Sequence, residues 1–502
     1  MKKTLLSFGV VALMMSSTSC SKSDGYADYA ALQTYANVSG MPQQSGDKFD
    51  SFTDNPFVET ATEPVSAFSV DADGASYAIV RRYLKEKLTI KPSSVRIEEF
   101  LNYFTFNYPS PTDGNTVAIN AETDKCPWNA EHYLLRLGIK GKELAANEVP
   151  CANFVFLIDV SGSMYSEDKL PLLKAGLLKL VDNLNSDDRI SIVTYSGEVK
   201  KILESTPVSE TRKIKDAIRQ LSADGCTNGG DALRMAYEEA LANYKPEYNN
   251  RVIMGTDGDF NAGVTDCNTL LELVESYARK GIYMTCLGFG TGNLNDAMME
   301  RISNAGNGTY YYIDDEKEML KVFVNERERF VSVANDAKCQ ITFNPELVSH
   351  YRLIGYENRV MEAEEFNNDK KDAGEIGAGQ TITALYELVP VSQQITADSQ
   401  QTFATFDFRY KKTLQSESIP LQLTLTTNDI FNKHSRSSEF YFAAGVATYG
   451  MLLRQSPHKG ESTFDLAHEL VKQGLSYDPN DYRAEFLKQI DNTPKSALLD
   501  EQ

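Results

Sequence analysis

Between residues 152 and 331 short apolar runs alternate with longer stretches of helical apolar spacing. Phe154–Ile158 is a continuous apolar run. Glu167–Leu184 then carries an amphipathic stripe, with Pro171 in its first turn, where a helix tolerates proline. Arg189–Tyr195 reads as a strand and Val199–Glu204 as its edge partner. Helical stretches follow at Glu210–Leu221 and Asp231–Tyr244, then a strand from Arg251 and a helix over Asn268–Lys280. The series ends with the strand Ile282–Leu287, the helix Leu294–Ala305, the strand Thr309–Ile313 and a helix from Glu316. Strands alternating with helices predict an α/β domain with a doubly wound, mainly parallel, Rossmann-like sheet.

The flanks follow other periods. Ser76–Lys87 and Ser93–Phe104 have helical spacing, whereas Ala118–Ala121 and His132–Ile139 alternate as strands do. After Val331 come strand-like runs at Ala337–Phe343, Val348–Leu353, Gln380–Leu388, Thr402–Tyr410 and Leu421–Thr426. The charged stretch Glu362–Gly379 reads as an exposed loop. From Glu439 the pattern returns to helix, at Ala443–Leu453, Phe464–Gly474 and Asp481–Ile490. The expected segments are 57–150, 152–331, a β-rich 332–438 and a helical 439–502. Strand-rich stretches on both sides predict an α/β domain inserted into one β-sandwich.

Composition and charge narrow the setting. A chain of 502 residues exceeds one ordinary domain, and 42% hydrophobic content can fill several cores. Lys2-Lys3, the apolar stretch Leu5–Met15 and Cys20 read as a lipoprotein signal peptide over 1–19, although Ser17 stands where a lipobox usually has Leu. That stretch is too short to span a bilayer. Processing would leave Cys20 as the first, lipid-bearing residue; a plain secretory signal is the alternative. Residues 20–56, rich in Ser, Asp, Gly and Gln, read as a flexible tether. The expected location is the bacterial envelope, at the outer membrane. Losing residues 1–19 removes Lys2 and Lys3 and no acidic group, taking the net charge from −20 to −22. Such a body repels nucleic acid and anionic headgroups, so membrane contact falls to the anchor.

The chemistry concentrates after the first strand. Asp159-Val-Ser161-Gly-Ser163 sets a carboxylate and two hydroxyls at alternate positions where a strand ends and a helix begins. In an open parallel sheet that edge is the ligand-binding crevice. Thr227, in Gly225-Cys-Thr-Asn-Gly-Gly230, and Asp257, in Thr256-Asp-Gly-Asp259, fall on the same edge. Hard oxygen donors of this kind suit Mg²⁺ or Mn²⁺. If the two carboxylates act partly through water while the three hydroxyls ligate, the ion stays electrophilic and accepts a carboxylate from a protein partner. The competing reading makes Ser161 and Ser163 helix caps and Asp257-Gly an ordinary turn.

These five positions resemble the metal-ion-dependent adhesion site of von Willebrand factor type A (VWA) domains: Asp-x-Ser-x-Ser, a distant Thr and a distant Asp. Phe68–Tyr77, Val95–Glu99, Asn102–Phe104 and Pro127–Asn129 resemble the von Willebrand factor N-terminal domain of bacterial VWA lipoproteins. Tyr351–Arg359, Asp369–Gly379 and Thr383–Tyr386 resemble that family's C-terminal domain of unknown function. The resemblance implies architecture and metal-dependent binding, and supplies no ligand. In related sequences a Ser usually precedes the site Thr, so Cys226 is a departure.

Six cysteines remain beside Cys20, with no Cys-x-x-Cys pair. Cys226 and Cys267 both lie on loops at the predicted metal face, and an oxidising compartment would favour a bridge between them. Asp71-Ala-Asp73-Gly74 resembles a phosphatase nucleophile motif, yet too few residues follow to build that fold, so a surface turn or helix cap is expected. Asp257-Gly-Asp259-Phe-Asn261 lacks the Gly and the Glu of a calcium loop. The five histidines all lie outside 152–331, which leaves a Ser-His-Asp triad without local support. The favoured function is binding without catalysis; envelope assembly through the flanks and a metal-assisted hydrolase or phosphatase at Asp71 or at the VWA-like site are the alternatives.

Overall fold

The computed structural model describes residues 45–112, 114–225, 230–258, 267–369, 371, 373–392, 400–431 and 437–498. The N-terminal flank contributes β1 (Val58–Glu59), β2 (Val65–Ser69), α1 (Ala75–Glu86), α2 (Ile97–Asn102), β3 (Val117–Cys126) and β4 (Asn129–Gly141). The α/β domain then supplies β5 (Ala152–Asp159), α3 (Leu170–Asn183), β6 (Arg189–Tyr195), β7 (Val199–Pro207), α4 (Thr211–Arg219), α5 (Gly230–Ala242) and β8 (Asn249–Thr256). It closes with α6 (Cys267–Ala278), β9 (Tyr283–Phe289), α7 (Asp296–Ala305), β10 (Tyr310–Ile313) and α8 (Glu316–Leu320).

Its sheet runs β10-β9-β8-β5-β6-β7, parallel except for the edge strand β7. All eight residues of the central β5 are buried, as a strand covered on both faces must be. Its alternate side chains serve different cores. Phe154, Phe156 and Ile158 pack with Leu173, Leu177 and Leu180 of α3, while Val155 and Leu157 face Ala236 and Tyr237 of α5. β7 is exposed along much of its length, which matches an antiparallel edge with one face toward water.

After the domain come β11 (Ser332–Phe343), β12 (Val348–Ile354), β13 (Val360–Met361), β14 (Gly374–Gly377), β15 (Thr381–Pro390), β16 (Thr402–Lys411) and β17 (Ser418–Thr426). One antiparallel sheet runs β1-β12-β15-β4-β3 and the other β13-β2-β11-β16-β17, with β14 also on β11. Both flanks therefore supply strands to both sheets. Leu135 and Leu137 of β4, Tyr386 of β15, Cys339 and Ile341 of β11 and Phe406 of β16 share one core between them.

Three expectations change. Segments 57–150 and 332–438 form the one sandwich expected of both flanks, but segment 439–502 is not a body of its own. Beyond the shared sandwich, the C-terminal helices α9 (Ser438–Arg454), α10 (Phe464–Gln473) and α11 (Tyr482–Asp491) pack on α1 and α2. Phe442 and Phe486 there meet the rings of Tyr77 and Phe104. The tether expected over 20–56 does not include 45–56, which find fixed partners, and residues 20–44 lie outside the described residues. Asp47 is buried and accepts the Tyr83 hydroxyl at 2.5 Å; Asp54 pairs with Arg454 at 2.9 Å, whose guanidinium lies over Phe52. Glu362–Gly379 is not wholly an exposed loop either, since β14 pairs with β11 and buries Ile376.

Arg483 holds the two ends of the chain together. Its buried guanidinium reaches Glu439 at 2.6 Å, Gly474 O at 2.7 Å and Thr105 O at 3.1 Å, and stacks over Phe442. Removing one partner of a buried pair strands the other charge, so Arg483→Met should cost about 3–5 kcal/mol. Urea unfolding of the whole chain measures it; a loss below about 1 kcal/mol would mean the pair is not structural.

Candidate functional site

Because β5, β6, β8 and β9 are parallel, Asp159, Tyr195, Thr256 and Phe289 all end at one edge. Asp159 is fully buried there. Its Oδ1 accepts the Ser161 amide at 2.9 Å and its Oδ2 the Thr256 hydroxyl at 3.0 Å. The next loop is laced to its neighbour. Gly162 N donates to Gly225 O at 3.0 Å and Asp224 N to Val160 O at 2.8 Å. Buried Met164 anchors the short 3₁₀ turn Gly162–Tyr165 from below. The Ser161 and Ser163 hydroxyls lie 3.0 Å apart.

The cap reading of the serines fails on this geometry. Ser161 makes no side-chain cap hydrogen bond, and the residue preceding α3 is Lys169. The Ser161 hydroxyl turns instead to Asp159 and the Ser163 hydroxyl to Asp257, so both belong to the crevice.

Asp257 follows β8 and is fully buried beside them. The turn after it needs glycine. Gly258 has φ +91°, and a Cβ there would sit 2.4 Å from the Asn295 amide. The Lys169 ammonium donates to Asp257 Oδ2 at 2.8 Å and reaches Asn293 Oδ1 at 3.4 Å. Asp159, Ser161, Ser163 and Asp257 are thus brought together, while Thr227, Asp259 and Asn261 lie outside the described residues. Sequence reasoning missed Lys169, Thr256 and Asn293. A lysine in the acidic stretch Glu167-Asp168-Lys169 looks solvent-facing, and nothing local signals that it turns inward.

The two carboxylates sit in unlike fields. Burial pushes Asp159 up to about 6, and the nearby Asp257 charge adds to this against the bonds from Ser161 and Thr256. Burial also acts on Asp257, but the Lys169 ammonium and bonds from Asn293 and Ser163 outweigh it and hold that group below its ordinary range. Among the described residues no cationic side chain pairs with Asp159.

The N-terminal flank braces this rim. Asp47 Oδ1 accepts the amides of Gly292 at 2.6 Å and Leu294 at 3.0 Å, on the loop that carries Asn293. Arg82 of α1 pairs with Asp168, the residue before Lys169.

Asp71 and Asp73 are not a surface turn. With Glu99 they form a buried group whose oxygens lie within 4.8 Å of one another. Arg359 takes Asp71 at 3.1 Å, Arg96 takes Glu99 and also Asp296 at 2.6 Å, and Tyr310 N donates to Asp73 at 2.7 Å. This is a charge lattice between flank and α/β domain. Asp71, sealed against a guanidinium, is unsuited to attack phosphorus. Cys267 Sγ lies 3.8 Å from Met298 Sδ on α7, and Cys226, its expected partner, lies outside the described residues.

Family comparison covers most of the chain. The model described as "von Willebrand factor" matches residues 43–136, "von Willebrand factor type A domain" residues 153–326, and "Uncharacterized protein YfbK, C-terminal" residues 328–495. "Uncharacterized protein YfbK" of Escherichia coli (strain K12) is 37% identical over 469 residues, 88% of this chain and 80% of that protein. Inter-alpha-trypsin inhibitor heavy chain H3 of Mesocricetus auratus is 30% identical over 186 residues, 35% of this chain and 21% of its own length. Among solved structures, a von Willebrand factor type A protein from Catenulispora acidiphila aligns over 78% of this chain and 93% of its own, at 14% identity and a TM-score of 0.43. By the extent of the YfbK match and the three family regions in the same order, the chain belongs to the bacterial VWA protein family that includes YfbK.

Proposed function

We propose that this protein is an exported, lipid-anchored binding module that grips a carboxylate of a protein partner through a divalent ion at the sheet edge. The observation that carries the reading is Asp159: a fully buried carboxylate without a cationic partner among the described residues, next to a second carboxylate that has one. Burying an unpaired charge is costly, and one hard cation relieves it. Asp159, Ser161, Ser163 and Thr227 are the residues to hold Mg²⁺ or Mn²⁺, with Asp257 beside them. The ion, when bound, supplies one Lewis-acidic position for an outside oxygen. The chain's own residues then have a static task. Asp159 fixes the charge, the serines offer neutral donors, and Met164 and the Gly225 contact hold the loop in shape.

Binding without catalysis fits the same residues. The described site holds no histidine, and its only amine is committed to Asp257. The acidic body keeps nucleic acid away, and Cys20 is the membrane attachment. VWA domains are interaction and adhesion modules as a class.

The site leaves a mark on stability. Asp159 in the fold sits above its ordinary value of 3.8, at about 6. Between those values the folded protein keeps a proton that the unfolded chain releases, so metal-free stability falls as pH rises through that window, by about 3 kcal/mol. Asp159→Asn should therefore be more stable than wild type in EDTA at pH 8 and no more stable near pH 4. Urea unfolding at the two pH values reads this, and equal stabilities at pH 8 would count against an uncompensated Asp159.

Binding is tested on the whole chain. An envelope protein retained in Mg²⁺ should be released by EDTA, regained when Mg²⁺ returns, and held more weakly by Ser161→Ala and Thr227→Ala. Equal retention in EDTA and by Thr227→Ala would move the function to the flanks, as an assembly factor. Cys20→Ala should leave the membrane fraction or accumulate as precursor; unchanged fractionation without lipid on Cys20 would indicate a plain secretory signal.

A further inference from the structure

Lys169 is an unusual neighbour for a divalent ion. It is only 8% exposed, and its ammonium lies 2.8 Å from Asp257 Oδ2. The position is built. At Gly290 (φ +69°) a Cβ would fall 2.1 Å from Lys169 Cε, so the lysine stem runs through space that any side chain there would fill. Its backbone is held on both sides: Lys169 O accepts the Leu173 amide at 2.9 Å, and Asp168 is paired with Arg82 of the flank. Asn293 takes a further hydrogen of the ammonium. These groups come from three separate stretches of chain and converge on one amine.

The consequence is a matter of charge. Asp159 and Asp257 together carry two negative charges, which a divalent ion alone would cancel. Lys169 cancels Asp257 first. With the ion bound, the buried centre then keeps one net positive charge, and that charge is what an incoming carboxylate meets. The same ammonium repels the ion itself and so weakens its binding. Resting on the metal-bridged reading above, we infer that Lys169 is the charge-setting residue of this site, lowering its affinity for the divalent ion and raising the affinity of the loaded site for an anionic ligand oxygen.

The direction of the effect separates this role from a structural one. Purified whole chain is titrated calorimetrically with Mg²⁺ alone. Acetate binding to the Mn²⁺-loaded protein is followed by paramagnetic relaxation of its methyl protons. Lys169→Met keeps the stem and removes the charge. It should bind Mg²⁺ at least tenfold tighter and acetate at least fivefold weaker, whereas Lys169→Arg should stay within about threefold of wild type in both. A lysine that merely props the loop would loosen Mg²⁺ binding on removal. If Lys169→Met does not fold, Lys169→Gln, which keeps a donor toward Asp257, is read in its place with the same expected signs. Mg²⁺ uptake that is lost in Asp159→Ala but unchanged or weaker in the neutral Lys169 variant overturns this inference alone. A wild type that takes up no Mg²⁺ overturns the metal-bridged reading with it.

Discussion

Closure of the sandwich around an inserted domain is the constraint on which the rest depends. β1, β2 and β4, which precede the α/β domain, pair with β12, β11 and β15, which follow it. Bringing such distant segments together costs loop entropy, and a folded insert shortens the effective loop to the gap between its two ends. Here those ends are tied. Gly141 N donates to Gln380 O, Thr116 Oγ1 to Val333 O, and Arg251 Nη2 and Asn249 Nδ2 both to Phe330 O. The domain that carries the site is thus also the clasp of the sandwich.

Once closed, the assembly is locked by buried charge as well as by the apolar core that flanks and domain share. Arg81 reaches Asp314 and Glu318 from α1, Arg96 reaches Asp296, and Arg359 reaches Asp71. Carboxylates outnumber guanidinium groups in this lattice. Burial pushes Glu98 up to about 8 and Glu99 up to about 7, and their acidic neighbours add to that. Buried pairs contribute little net stability against an apolar alternative, but they punish every misaligned docking of flank on domain. An arrangement that must hold a rim loop in register gains from that intolerance.

What the sequence made legible follows from range. The parallel strands, the edge strand at Val199 and the helix carrying Pro171 in its first turn are written in local periodicity, and the structure has them within a few residues. Asp159, Ser161 and Ser163 were readable because they share one short loop. Asp257 was readable because its strand must end on the same edge. Lys169 was not, since its meaning depends on Gly290, Asp257 and Asn293, which lie 88 to 124 residues away. The burial of Asp71 and Asp73 was hidden for the same reason: the arginine that shields them, Arg359, comes from the far side of the inserted domain. Residues 45–56 have the composition of a linker, and only their distant partners Tyr83, Leu294 and Arg454 make them part of the fold.

Those same residues give the protein a mechanical direction. Lys48 bridges to Asn295 in parallel register, and Gly46 lies so close to Gly292 that a Cβ there would come within 2.3 Å of its carbonyl oxygen. A load applied at Ser45 therefore enters the folded body at the loop that holds Asn293 against Lys169. Such a load meets the wall of the site before it meets either core.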